Sequence, residues 1–147
     1  MPRRTDQPSP PLSGVPHPRD LWRLLRVALR AAAELVRARI VFARIGVKDI
    51  QALNARFSGS PVPPDTALLL DWIAYILPRA AHRVPFRADC MVQALAAQNW
   101  LATQGIASAI VIGAERPEDK PFAAHAWLTC GQRVVTGGEI GRYTELI

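Results

Sequence analysis

Apolar and polar positions divide the chain into a helical stretch followed by a strand-forming one. From Arg19 to about Arg44 the sequence runs RDLWRLLRVALRAAAELVRARIVFAR. Arg23, Arg26, Arg30, Arg37 and Arg44 recur at helical spacing, while Leu24, Ala28, Ala31, Leu35 and Ala38 line another face. A second helix is predicted over Val47 to Phe57, stopped by SGSPVPP, whose glycine and prolines cannot continue it. A third starts at Asp65 or Thr66, carries Leu69, Trp72, Ile73 and Ile76 on one stripe, and ends or kinks at Pro78. A fourth runs from Cys90 to Gln104 and closes at Gly105, in the left-handed capping place. Beyond Gly105 the period falls to about two. IASAIVIGA reads as a strand, ERPEDK as a loop, FAAHAWLTC as a strand and RVVTG as a third, with Gly131 and Gln132 as a hairpin turn.

Helices followed by an antiparallel sheet give an α+β class. At 147 residues the chain has the length of one domain. Residues 1–18, with six prolines, read as a flexible arm, and residues 19–147 as a single domain with a helical part (19–80) and a core that carries the strands (81–147). The formal charge of +6 raises the question of nucleic acid, but the arginines are spread out and no aromatic residues interleave with them to stack bases. A solvated helix face is the simpler reading of these arginines, and an acidic partner surface the second. No apolar run is long enough to span a membrane and no secretory signal is evident, so the expected setting is cytoplasmic, without membrane insertion. The two cysteines, Cys90 and Cys130, have no ligand spacing around them; neither a metal nor another cofactor is expected.

The chemistry concentrates at the start of the fourth helix. Asp89 is a natural N-cap, which puts Cys90 in the first turn, where unpaired backbone N–H groups and the helix dipole favour a thiolate. Arg87 would favour it further and the Asp89 carboxylate would oppose it. A nucleophilic thiol needs a base, and His125, in AAHAWL, is the candidate. Alternation puts Ala123, His125, Trp127 and Thr129 on one strand face and Phe122, Ala124, Ala126 and Leu128 on the other. Cys130, beside the hairpin turn, reads as structural, as does a small buried thiol generally.

RVPFRADCMVQALAAQNWLATQGIASAIVIGA followed by PFAAHAWLTCGQRVV resembles the bacterial transglutaminase-like cysteine peptidases that remove leader peptides in lasso peptide biosynthesis, in their stand-alone form. The arginine before the cysteine, the helix ending in QGI, the VIG strand and HAW match in order and spacing. The resemblance implies a papain/transglutaminase-like fold, with Cys90 as nucleophile and His125 as general base. It also implies a precursor peptide as substrate, a leader-binding recognition protein and an ATP-dependent lasso cyclase. No phosphate loop is present, so the ATP chemistry would not be this chain's own. Where such sequences often carry an aspartate, twelve residues after the histidine, this chain has Gly137. Glu139 is the preferred residue to orient the imidazole, through a twist or bulge at Gly137-Gly138, with Thr136 second and a working Cys–His dyad also open. Gln93 and Gln98 lack the upstream position of an oxyanion glutamine, and none is assigned. The alternatives to a peptidase are a thiol acyltransferase on the same scaffold and a non-catalytic peptide-binding module.

Overall fold

Helix α4 (Cys90–Ala102) is apolar on almost every side, and the remaining elements enclose it. The computed structural model describes residues 18–59, 61–116 and 118–146. The proline-rich arm expected over residues 1–18 lies, Pro18 apart, outside the described residues. α1 (Pro18–Phe42) and α3 (Ala67–Ala81) pack against α4, and α2 (Val47–Phe57) packs against the first strand. The strands β1 (Ala109–Glu115), β2 (Ala123–Cys130), β3 (Arg133–Thr136) and β4 (Thr144–Glu145) form an antiparallel sheet of order β3-β2-β1-β4. Val92, Leu95, Trp100 and Leu101 of α4 share one core with Leu35 of α1, Ile73 and Leu77 of α3, and Ile110, Ala126 and Leu128 of the sheet. Burying each large side chain of this kind is worth about 1.5–3 kcal/mol. The arrangement is the α+β fold expected from the sequence.

The elements follow the sequence pattern closely; β1 starts at Ala109 rather than Ile106, and three further departures have physical causes. α3 is preceded by a 3₁₀ turn, Pro64–Thr66, and continues past Pro78 to Ala81. Pro78 lies in the last turn, where its missing N–H removes a single helical bond, and burial of Leu77 and Ala80 holds the turn together. α4 ends at Ala102 rather than Gln104, and Thr103 and Gln104 form the turn into Gly105, which adopts φ +70°. β4 has no strand signal of its own. It is two residues long and pairs with Gly113 and Ala114, with Leu146 N–H donating to Ile112 O at 2.8 Å.

Buried polar residues set the register between layers. Glu34 of α1 is fully buried; its carboxylate meets Arg30 Nε at 2.7 Å and Arg37 at 3.4 Å and accepts from Asn99 Nδ2 of α4 at 2.5 Å. Arg30 also donates to Thr103 Oγ1 at 3.0 Å. α1 therefore runs antiparallel to α4, its Arg30 level with the end of α4. Asn54 of α2 supplies a strand-like pair to β1, donating to Ile110 O at 2.7 Å and accepting from Ile110 N–H at 2.8 Å. Buried Gln98 donates to Asn54 Oδ1 and more loosely to Ser108 O, so α1, α2 and the chain entering β1 are tied to α4 by directional bonds.

Removing the buried carboxylate leaves Arg30 and Asn99 without it, although Arg30 can turn partly to solvent. Glu34→Ala is expected to lower stability by about 2 kcal/mol, below the range for a fully enclosed pair. Leu101→Ala, which opens a cavity beside α4, is expected to cost about 2–5 kcal/mol. Denaturant unfolding of both variants checks the two values.

Candidate active site

The first turn of α4 escapes the enclosure. Asp89 takes an extended conformation, φ −73° and ψ −175°, and its carboxylate accepts from Val92 N–H at 3.3 Å, which is the N-cap read from the sequence. Cys90 follows in the first turn, half-buried, while Val92 and Ala94 behind it are fully buried. A helix leaves its first amides without intrahelical acceptors, so the N–H groups beside the thiol can serve an anion formed there. Gln93 does not join them: its Nε2 donates back to Ala88 O at 3.0 Å. Gln98 is spent on Asn54. Both glutamines thus have structural partners.

His125 sits on β2, on the sheet face away from the helices. The helix-facing residues of β2 are Ala126, Leu128 and Cys130. His125 and Trp127 point the other way, where the imidazole stacks on Tyr143, centroids 4.9 Å apart and planes at 29°, and tilts against Trp127 at 6.1 Å. Trp127 is nonetheless buried, because Gly113 and Gly137 give it room: a Cβ at Gly113 would come within 2.6 Å of its ring. The sequence pattern leaves open which face His125 takes, and Tyr143 is missed there because it lies outside any recognisable strand.

Cys130 Sγ donates to Ala107 O at 3.4 Å, so the end of β2 lies beside the chain just after α4. β3 pairing stops at Leu128 with Thr136, so the His125 segment of β2 has a strand partner on the β1 side alone. Among the described residues the imidazole makes one hydrogen bond, from Nε2 to Gly137 O at 2.6 Å, and none joins it to the thiol in this conformation.

The two residues expected to orient the imidazole are occupied elsewhere. Glu139 is exposed, and its Oε1 accepts from Gly141 N–H at 3.1 Å. Thr136 is buried, and its Oγ1 accepts from Leu128 N–H at 3.2 Å. Gly137 and Gly138 do bend the chain as the sequence suggested, with φ +108° and +65°, but the bend brings a backbone carbonyl to His125 and leaves the Glu139 carboxylate outside.

No cluster of three or more potential metal ligands occurs among the described residues, and no helix among them is long and apolar enough to cross a membrane. The second thiol, Cys130, is buried. Desolvation pushes its pKa up, with Arg133 pulling it back by less, so it stays protonated at neutral pH. Iodoacetamide is accordingly expected to label Cys90 in the folded protein and Cys130 only after denaturation, as peptide mass mapping would show.

No curated protein and no solved structure matches the chain. The family model for the transglutaminase-like superfamily does match, over residues 32–147, which takes in about four-fifths of the sequence and all of α2, α3, α4 and the sheet. With a cysteine-led helix packed on an antiparallel sheet across that span, the chain belongs to the transglutaminase-like superfamily.

Proposed function

We propose that the protein is a cysteine peptidase that removes the leader from a ribosomally made lasso precursor peptide, with Cys90 as nucleophile and His125 as general base. The superfamily typically comprises cysteine peptidases and acyltransferases, which supports acyl transfer through a thiol. The observation that supports the reading is the first turn of α4: a half-buried thiol on a capped helix start, on a helix packed against the strand that bears His125. The finer step, from thiol acyl transfer to leader removal, rests on the sequence resemblance over about Ala81 to Val135.

The reaction follows from these groups. His125 Nδ1 takes the thiol proton and the Cys90 thiolate attacks the carbonyl at the leader–core junction. The first amides of α4 hold the charge that develops on that carbonyl oxygen. Collapse expels the core peptide as an amine, which carries off the imidazolium proton, and leaves the leader as a thioester on Cys90. Water, deprotonated by the same imidazole, releases the leader as a carboxylic acid and restores the thiol. An amine in place of water would make the enzyme an acyltransferase. No metal or nucleotide enters this step. The ATP-dependent ring closure belongs to a separate cyclase acting on the released core.

A leader-binding protein is the proposed partner, and α1 offers its docking face. Trp22, Leu25, Leu29, Val36 and Ile40 form an exposed apolar stripe along α1, on the side away from the core. Arg19, Arg26, Arg37 and Arg44 border it. Of the arginines singled out in the sequence, Arg23 lies over the Trp72 ring and Arg30 on Glu34, so these two are partly engaged within the fold. A surface depression lined by Arg19, Trp22, Arg23 and Arg26 marks the start of the stripe. This end of α1 lies beyond the far end of α4, on the order of 30 Å from the level of Cys90. A leader held there raises the concentration of the scissile bond near the thiol without adding contacts at it.

Two outcomes test the reading. Cys90→Ala and His125→Ala should each lower cleavage of a candidate precursor by about a thousandfold or more with the fold retained, while Cys130→Ser leaves the rate nearly unchanged. Products are read by mass spectrometry. Residual cleavage by Cys90→Ala would remove the proposed nucleophile. Adding the leader-binding protein should accelerate cleavage at sub-saturating precursor, and Leu29→Asp or the pair Arg26→Glu and Arg37→Glu should weaken that stimulation, the charge pair more so at low salt. Equal rates with and without the partner would leave a self-sufficient peptidase.

A further inference from the structure

We infer that the backbone carbonyl of Gly137 orients His125 in the role a side-chain carboxylate fills in a catalytic triad; the inference rests on His125 being the base proposed above. A carbonyl oxygen only accepts, so its 2.6 Å contact with Nε2 fixes the ring proton on Nε2 and leaves the lone pair on Nδ1. Nδ1 is then the atom free to take a proton from a thiol.

The carbonyl is available because the strand has ended. β3 stops at Thr136, and the two glycines that follow take left-handed backbone angles that carry the chain out of the ladder. Position 137 also excludes a side chain. A Cβ there would overlap the Trp127 Cβ and lie 3.1 Å from the Trp127 Cα, a backbone atom that cannot step aside. The backbone that presents the carbonyl to His125 is thus incompatible with an aspartate at the position where the resemblance calls for one. Tyr143, stacked on one face of the ring, and Trp127, tilted against it, fix the plane in which Nε2 points at the carbonyl. Thr136 and Glu139 are committed to Leu128 and Gly141, and neither competes.

The neutral carbonyl differs from a carboxylate in one consequence. It sets the tautomer and direction of the ring, but it stabilises the imidazolium less than a full negative charge would. Gly137 is therefore a positioning residue.

The test begins with the tautomer of the unmodified protein. Long-range ¹H–¹⁵N correlation on histidine-labelled protein, with His125 assigned by loss of its signals in His125→Gln, should show Nε2 protonated and Nδ1 unprotonated near neutral pH. A proton on Nδ1, or rapid exchange between both tautomers, overturns the inference. This readout does not depend on cleavage: were no precursor ever cut, the peptidase reading would fall and the tautomer would still decide the role of Gly137. On cleavage, Glu139→Gln should keep kcat/KM within about twofold, and a loss of tenfold or more would return the role to Glu139. Gly137→Ala, where it folds, should lower kcat about tenfold or more at little-changed KM and mix the tautomers. Wild-type kcat with an intact Nε2–H signal in that variant also overturns the inference. Should Gly137→Ala not fold, the wild-type tautomer and Glu139→Gln decide the matter.

Discussion

The structure depends on burying a helix that is apolar all round. α4 has no solvent face to give up, so it must be wrapped on every side, and α1, α3 and the sheet supply the wrapping. α1 and the α2–β1 pair are positioned by directional polar bonds as well as by packing, Glu34 to Asn99 and Asn54 to Gln98 and Ile110, while α3 is tied to β3 through Asp71 and Arg133. The first turn is left uncovered because its polar groups, the Asp89 cap and the free amides behind it, cannot be buried without partners. The partial exposure of Cys90 and the stability of the fold thus have one origin, and the two cysteines show the contrast. Cys90 sits where α4 emerges; Cys130 is sealed in the core, where desolvation keeps it protonated.

The opposite face of the sheet is organised by absence of side chains. Gly113 and Gly137 leave the floor on which Trp127 lies, and Trp127 with Tyr143 fixes the plane of the imidazole. Arg142 lies over the Tyr143 ring at 5.1 Å and reaches Glu115 of β1 at 3.3 Å, tying the chain before β4 to the end of β1. The site is therefore built from residues that span thirty positions of sequence, Gly113 to Tyr143, converging on one ring.

Much of this was legible in the sequence, and the limits are physical. α2 was readable to the residue because glycine and prolines bracket it, and the Asp89 cap because a cap is a local interaction. What depends on long-range closure was not. β4 is formed by pairing alone. Glu34 reads as one carboxylate on a charged helix until α4 is laid against it. The arginines of α1 read as a single solvated face, whereas the structure divides them: Arg23 and Arg30 engage Trp72 and Glu34, and the apolar stripe beside the others repeats at Trp22, Leu25, Leu29, Val36 and Ile40, a second helical period hidden by the stronger core-facing one. The partner of the imidazole was the least accessible. Sequence reasoning searches side chains, and Gly137 acts through its carbonyl, so the only signal was the glycine pair itself.

The central claim is that acyl transfer passes through Cys90. Rapid-quench mass spectrometry of the protein mixed with precursor peptide tests it most directly. The account predicts a transient adduct on the Cys90 peptide with the mass of the leader acyl group, labile to hydroxylamine and decaying as free leader appears. Precursor cleaved with no adduct at Cys90 at any time, or an adduct that maps to Cys130, would contradict it.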